Sequence, residues 1–341
     1  MFVSVYSRDK QTAAFLGRPP RLSCRYCKME MPLDLSDAQV CMEGAELEAA
    51  LATLDADGWS TTGDLKRVTW IRVWFGEARI REEILEVALG SDDNDIDRRS
   101  AEIWHHVDAL KASFPQIMRI SPEEVLKPGM NIPGSAEKTL RQSNALFIVC
   151  NHAGIMHTEF LLQRALVNRL KTDIKQLMPI CRRLFKLVLL VQSKKDFFRD
   201  FQGDLVWIMT SFGLPTAGVL AVELLKQEQS RLYTPDILPR SETIQDLSVF
   251  IANLGAVGPG DANFSICNQG RRALNRVLDQ ILSPSLPPLP NAGTEKAWDD
   301  MSFFMPTGND VDFLQWLETV EWDKGFLNAT GPLDGPSALA D

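Results

Sequence analysis

The sequence predicts an all-α protein, and three observations support this prediction. Apolar residues recur at helical spacing along most of the chain. Runs of alternating Val, Ile or Thr bounded by Asn-Gly or Asp-Gly turns are missing. Hydrophobic residues make up 45% of the 341 residues and charged residues 24%, which is typical of a folded globular chain. We therefore expect a bundle or layered array of about eight to ten helices.

The predicted helices follow one another along residues 1–282. They are expected at 1–16, 36–54, 64–89, 99–112, 135–169, 174–192, 204–228, 241–254 and 264–282. The strongest pattern covers 64–89, where nine apolar residues fall near 3.6-residue spacing. The charged residues of this segment are expected on its solvated face: Arg72, Glu77, Arg79, Arg81, Glu82 and Glu83.

Helix-breaking residues mark the ends of these segments. Gly17 and the Pro19-Pro20 pair close the first helix, and Ser36 is a candidate N-cap for the second. Three prolines between 122 and 133 indicate a loop. The uncharged stretch 205–222 just reaches the length of a membrane span, but Gly and Pro interrupt it and no aromatic belt flanks it. We interpret it as a buried helix with a break near Pro215.

Catalytic and metal sites are not predicted. Cys24 and Cys27 form a C-x-x-C, but a second ligand pair for zinc is missing. His152 and His157 are five residues apart, whereas a helical metal pair requires a spacing of four. The chain also lacks G-x-S-x-G, a P-loop and G-x-G-x-x-G. We therefore expect no enzyme, no metal or other cofactor, and six reduced cysteines, since no secretory signal opens the chain.

The negative charge is concentrated near the C-terminus. Residues 282–341 hold ten acidic and two basic side chains, a net charge of −8 out of −9 for the whole chain. Because DNA attracts basic surfaces and repels net negative charge, direct contact with nucleic acid is not expected. Residues 1–282 are predicted to form one regulatory domain, 283–297 a stiff Pro-rich linker and 298–341 an acidic tail.

The tail alternates acidic with aromatic and aliphatic residues, which is typical of disordered or marginally helical activation segments. Like charges keep its aromatic side chains from collapsing into a core, so these side chains stay available to a partner. The candidate activation residues are Phe303, Phe304, Phe313, Trp316, Leu317 and Trp322. Phe313, Trp316 and Leu317 have the i, i+3, i+4 spacing of one helical face. The alternative is a C-terminal helix that docks on the body.

Several motifs together resemble the fungal-specific transcription factor domain, the middle homology region of fungal binuclear zinc-cluster regulators. They are SVYSRDKQTAAFLGRPPRLS (4–23), NALFIVCNHAGIMHTEFLLQRALVNRL (144–170), LPTAGVLAVELLKQ (214–227), the segment 241–282 and FLQWLETVEWDKGF (313–326). The resemblance implies an all-α regulatory domain that acts in the nucleus and controls metabolic or secondary-metabolite genes. It also implies coactivator machinery as a partner, and a small-molecule inducer as a candidate ligand.

The chain departs from the family pattern at its N-terminus. The six-cysteine zinc cluster is missing, and Met1 falls where the family domain is already under way, so we expect a domain truncated at its N-terminus. A zinc cluster would belong to the missing part. One alternative is therefore an accessory or dominant-negative regulator that pairs with a full-length zinc-cluster regulator or with itself. An alternative of another class is an all-α small-molecule-binding protein. No membrane association is expected.

Overall fold

The computed structural model describes residues 2–27, 29–91, 94–135, 137–171, 173–261 and 263–283. All regular structure in these ranges is helical, apart from one isolated bridge between Leu54 and Ser60. The all-α prediction is confirmed. The chain divides into two compact units, with the boundary between Asp173 and Ile174.

The first unit contains seven α-helices in its described residues, and a long central helix organises them. They are α1 (Phe2–Leu16), α2 (Asp37–Val40), α3 (Gly44–Leu51), α4 (Arg67–Leu89), α5 (Ile96–Ser113), α6 (Pro122–Val125) and α7 (Lys138–Leu170). Helix α4 packs against α1, α5 and α7. Trp70 of α4 stacks on Phe147 of α7, with ring centroids 3.8 Å apart, and Phe75 meets Tyr6 of α1 edge-on.

The expectation that the charged residues of α4 face solvent is wrong for four of the six. Arg72, Glu77, Arg81 and Glu82 are buried, with relative exposures of 3%, 4%, 7% and 3%. Arg79 alone of the six is exposed, and Glu83 is partly exposed. The reason is that α4 carries neighbours on several sides, so its middle turns have almost no face left for water.

The predicted helix 36–54 is split in two. Ser36 caps α2 as expected: its hydroxyl accepts a hydrogen bond from Gln39 N–H, and the Gln39 side chain accepts one from Ser36 N–H at 2.8 Å. The helix then stops at Cys41, and α3 starts at Gly44, whose φ of +56° suits glycine. The short helix α6, capped by Ser121, occupies part of the segment predicted as a loop.

The second unit is built around one central helix. Its described helices are α8 (Leu177–Gln192), α9 (Gln202–Ile208), α10 (Leu214–Ser230), α11 (Arg240–Gly255) and α12 (Phe264–Leu282). Helix α10 packs against α8, α11 and α12. Helix α12 has the sharpest division of faces: its seven buried residues lie along one side, and Arg272 and Arg276 are exposed on the other.

The apolar stretch 205–222 is a buried helix, as predicted. A π-helical turn, Met209–Gly213, joins α9 to α10, and Pro215 follows it as the second residue of α10. A wider turn at this point accommodates a residue that cannot donate an N–H to the helix.

Two helical stretches in the described residues, Lys138–Leu170 and Arg199–Ser230, are long and apolar enough to cross a membrane. In each, 78% of the apolar window is buried inside the protein, as in an ordinary core helix. Their length and composition are therefore weak evidence for a membrane span.

Candidate functional site

The six candidate activation residues lie outside the described residues. Phe303, Phe304, Phe313, Trp316, Leu317 and Trp322 all follow Ser283, the last residue that the structure describes. The same is true of the remainder of the Pro-rich linker.

One buried polar cluster joins α1 to α4. Glu82 accepts hydrogen bonds from the Tyr6 hydroxyl and from Cys24 N–H. Lys10, which is fully buried, lies 3.6 Å from the Glu82 carboxylate and 4.1 Å from the centre of the Tyr6 ring. Lys10 also donates to the Leu22 carbonyl.

These contacts determine the ionisation of the cluster. Burial alone would raise the pKa of Glu82, but hydrogen bonds from Ser23, Tyr6 and Cys24 and the charge of Lys10 outweigh it and hold that pKa below its usual value. Burial, together with the neighbouring Glu82, raises the pKa of Tyr6. Every member of this cluster has a polar partner, so it is suited to holding α1 in place.

A second buried pair, Glu77 and Arg81, faces α7 and is poorly satisfied. The closest carboxylate–guanidinium distance is 3.7 Å, and Glu77 Oε1 and Arg81 Nε have no hydrogen-bond partner among the described residues. Burial raises the pKa of Glu77 to about 7, although Arg81 acts in the opposite direction. Burial, followed by the charges of Arg81 and Arg164, places the pKa of His157 well below its usual value.

Close approach of α4 and α7 depends on Gly154. A Cβ atom at this position would lie only 2.5 Å from Glu77 Oε1 and 2.6 Å from Oε2. The missing side chain therefore creates the space that the Glu77 carboxylate occupies.

Arg72 anchors the loops that precede α4. Its guanidinium donates to the Pro32 carbonyl and, at 2.6 Å, to the Asp57 carbonyl. It also lies over the Trp59 ring, 4.2 Å from the centroid. Since both polar partners are backbone carbonyls of the same unit, this arrangement stabilises the loops.

A cavity of about 660 Å³ lies in the first unit between the C-terminal half of α4, α5 and the segment after α1. Its apolar lining comprises Pro19, Pro20, Leu85, Leu89 and Ile103. Leu85 and Ile103 are buried beneath it, and Leu89 is 37% exposed at its edge. A volume of this size is in the range of small-molecule sites.

Charged residues line the rest of this cavity, and their pairing is uneven. Arg98 contacts two carboxylates, Asp95 at 2.9 Å and Glu102 at 2.6 Å. In contrast, Arg25 and Arg99 both approach the same oxygen, Glu86 Oε2, at 2.6 and 3.0 Å.

His106 also lines the cavity and is paired with a carboxylate, since its Nδ1 lies 2.8 Å from Glu83 Oε2. Together these contacts divide the charged lining into one part where a single carboxylate serves two guanidinium groups and another where each basic group has its own acidic partner.

The cysteines fall into two groups. Cys150, Cys181 and Cys267 are buried in the helical core, whereas Cys24 and Cys41 are exposed and Cys27 is partly exposed. Burial raises the pKa of Cys267 to about 12, so its thiol is chemically inert near neutral pH. Within the described ranges, no group of three or more His, Cys, Asp and Glu side chains could hold a metal ion.

The sequence pattern does not reveal the cavity. Arg25 and Glu86 are 61 residues apart, and Arg25 belongs to a short 3₁₀ turn, Cys24–Tyr26, outside any periodic segment. In comparisons with known proteins, no protein-family model, no curated protein and no solved structure matches the chain.

Proposed function

We propose that this chain is a transcription regulator, in which a helical regulatory body precedes an acidic tail that recruits coactivators. The observation that carries this proposal is the alternation of acidic and aromatic residues in 298–341, which follows a Pro-rich segment at the end of the helical body. The proposed site of action is the nucleus. The proposed targets are metabolic or secondary-metabolite genes, since the resembling regulators control such genes.

The positions of the resembling motifs support this proposal. The motif at 144–170 lies entirely within α7, and the motif at 214–227 lies within α10. The segment 241–282 spans most of α11 and all of α12, and the motif at 4–23 includes most of α1. Each of these four motifs therefore lies largely in helix, as an all-α regulatory domain requires.

The recognition chemistry proposed for the tail is that of an amphipathic helix in a groove. Phe313, Trp316 and Leu317 would share one face if the tail became helical on binding. The surrounding carboxylates favour a partner whose groove is apolar in the centre and basic at the rim, since such a rim accelerates association.

A reporter experiment tests the activation role. Residues 283–341 are fused to an unrelated DNA-binding domain, and transcription is measured from a promoter that carries its site. We expect activation by the fusion and loss of most of it when Phe313, Trp316 and Leu317 are replaced by alanine, because hot-spot aromatics dominate such contacts.

The matched control replaces three leucines outside the predicted helical face, Leu327, Leu333 and Leu339, by alanine. This variant removes the same number of apolar side chains at unchanged charge, so activity should be retained. A well-expressed wild-type fusion without activity would refute the activation role. Equal activity of both variants would show that the helical face is not used.

The cavity in the first unit favours a second candidate function, the binding of a small molecule. It combines a buried apolar floor with charged groups at hydrogen-bonding positions, which is the usual composition of a ligand site. Leu89→Trp is the variant designed to fill the cavity, because Leu89 is partly exposed at its edge and a larger side chain can extend into it. Ligand binding that survives Leu89→Trp in a folded protein would argue against this site.

A further inference from the structure

The pairing of charges in the cavity distinguishes two kinds of arginine. Arg98 is held by Asp95 and Glu102 at once, so its charge is matched from two sides. Arg25 and Arg99 share the single carboxylate of Glu86. Neither of these two has another side-chain ion pair within 4 Å among the described residues. In this part of the chain two guanidinium groups therefore share one carboxylate oxygen, and one such contact each leaves N–H donors for a further acceptor.

The apolar floor lies beside Arg25 and Arg99, which share Glu86. Glu86 and Leu89 are three residues apart on α4, and therefore on the same side of the helix. Ile103 is four residues from Arg99 on α5. A ligand whose acidic group meets Arg25 and Arg99 can therefore lay an apolar body across Leu89 and Ile103.

We infer that the cavity binds an amphipathic monocarboxylic acid, an inference that rests on the second candidate function proposed above. A carboxylate matches the planar, forked donors of arginine and makes charge-assisted hydrogen bonds with them. A phosphate dianion is disfavoured, because Glu83, Glu86 and Glu102 line the same cavity and repel a second negative charge. A cationic ligand meets repulsion from both guanidinium groups.

The experiment uses the full chain and three probes of equal chain length, octanoate, octan-1-ol and octylamine, titrated by NMR or calorimetry. We expect saturable binding of octanoate, at least about 10-fold weaker binding of the alcohol, and weaker binding still of the amine. The difference arises because the alcohol fills the apolar part of the cavity but leaves the arginine donors without an anionic partner.

Two arginine variants test which guanidinium group binds the ligand carboxylate. Arg99→Met keeps the aliphatic stem and removes the charge, and it should weaken octanoate about 10-fold while leaving the alcohol unchanged. Arg98→Met is the control, since Arg98 lines the same cavity but is already paired twice. It should change octanoate affinity by less than about 3-fold.

The outcomes distinguish this inference from the function on which it rests. Carboxylate selectivity would be overturned by equal affinity for octanoate and the alcohol, or by equal losses of affinity in the two arginine variants. If Leu89→Trp nevertheless blocks this binding, the cavity remains a small-molecule site. If no probe binds saturably, or if Leu89→Trp leaves all binding intact while circular dichroism shows an unchanged fold, both the site and the inference fail.

Discussion

Replacement of Glu77 by glutamine should change how the free energy of unfolding depends on pH. Glu77 is 4% exposed, its carboxylate lies 3.7 Å from the Arg81 guanidinium, and one of its oxygens has no hydrogen-bond partner in the described structure. The loss of hydration is therefore only partly compensated, and burial raises the pKa of Glu77 to about 7. Glutamine has nearly the same shape and does not titrate.

The sign and size of the effect follow from proton linkage. An unfolded glutamate has a pKa of 4.5, so between 4.5 and about 7 the native state binds more protons than the unfolded state. The contribution of neutral Glu77 is fully present below the unfolded pKa and is lost as pH rises through the folded pKa. The loss amounts to about 3 kcal/mol for a shift of this size.

Urea denaturation followed by helical ellipticity, at intervals from about pH 4 to about pH 8, measures this effect. Wild-type stability minus that of Glu77→Gln should fall by about 3 kcal/mol across this range. A difference that stays constant or grows with pH would refute the reasoning, because it would mean that Arg81 keeps Glu77 ionised in the folded protein.

Glu82→Gln is the matched control on the same helix, and its pH dependence should have the opposite sign. Hydrogen bonds from Ser23, Tyr6 and Cys24 N–H, with the Lys10 charge, outweigh burial and lower the pKa of Glu82. Its stabilisation is therefore present above the unfolded pKa and is lost as pH falls through the folded pKa. Because this loss begins near the unfolded pKa of 4.5 and continues below it, the urea series for Glu82→Gln is extended to lower pH. Two buried glutamates five residues apart on α4 thus make opposite predictions in separate pH ranges.

Three glycine substitutions test the close helix contacts. Gly154→Ala should destabilise the protein by about 1–3 kcal/mol, because its Cβ would meet the Glu77 carboxylate at 2.5 Å, and chemical denaturation measures the loss. Gly270→Ala should cost a similar amount, since its Cβ would lie 2.3 Å from Leu214 Cδ2 between α12 and α10. Gly203→Ala is the control: nothing lies within 4 Å, and the better helix propensity of alanine should raise stability by about 0.5–1 kcal/mol. A neutral result at Gly154 or Gly270 would show that the Glu77 or Leu214 side chain moves aside at little cost.

Helix existence could be read from the sequence, because it depends on local periodicity. The segment predicted at 264–282 is α12 at both ends, and the capping box at Ser36 is recognisable from four consecutive residues. The spacing of apolar residues does not predict the break between α2 and α3. Helix α3 begins at a glycine with a positive φ, and this spacing carries no information about φ.

Burial on α4 could not be predicted, because it depends on how many neighbours the helix acquires. Sequence periodicity assigns one apolar and one polar face, which is correct for a helix on the surface of a domain. Helix α4 instead packs against α1, α5 and α7, so both faces are enclosed. The cavity could not be predicted from the sequence for a related reason. Arg25 and Glu86 are 61 residues apart, and no short motif encodes their contact.

The buried charged residues of α4 contact different parts of the chain, and these contacts explain what the residues contribute to the fold. Arg72 is bonded to the loops around Pro32 and Asp57, Glu82 to α1 and Cys24, and Glu77 lies against Gly154 of α7. Apolar contacts alone tolerate a shift of a helix by one turn, because many registers bury similar areas. A shift of α4 by one turn would separate Arg72 and Glu82 from their hydrogen-bond partners and leave each buried without compensation, at about 1–3 kcal/mol or more apiece. It would also move the Glu77 carboxylate away from the space at Gly154. We therefore expect these residues to contribute more to the uniqueness of the packing than to its overall stability.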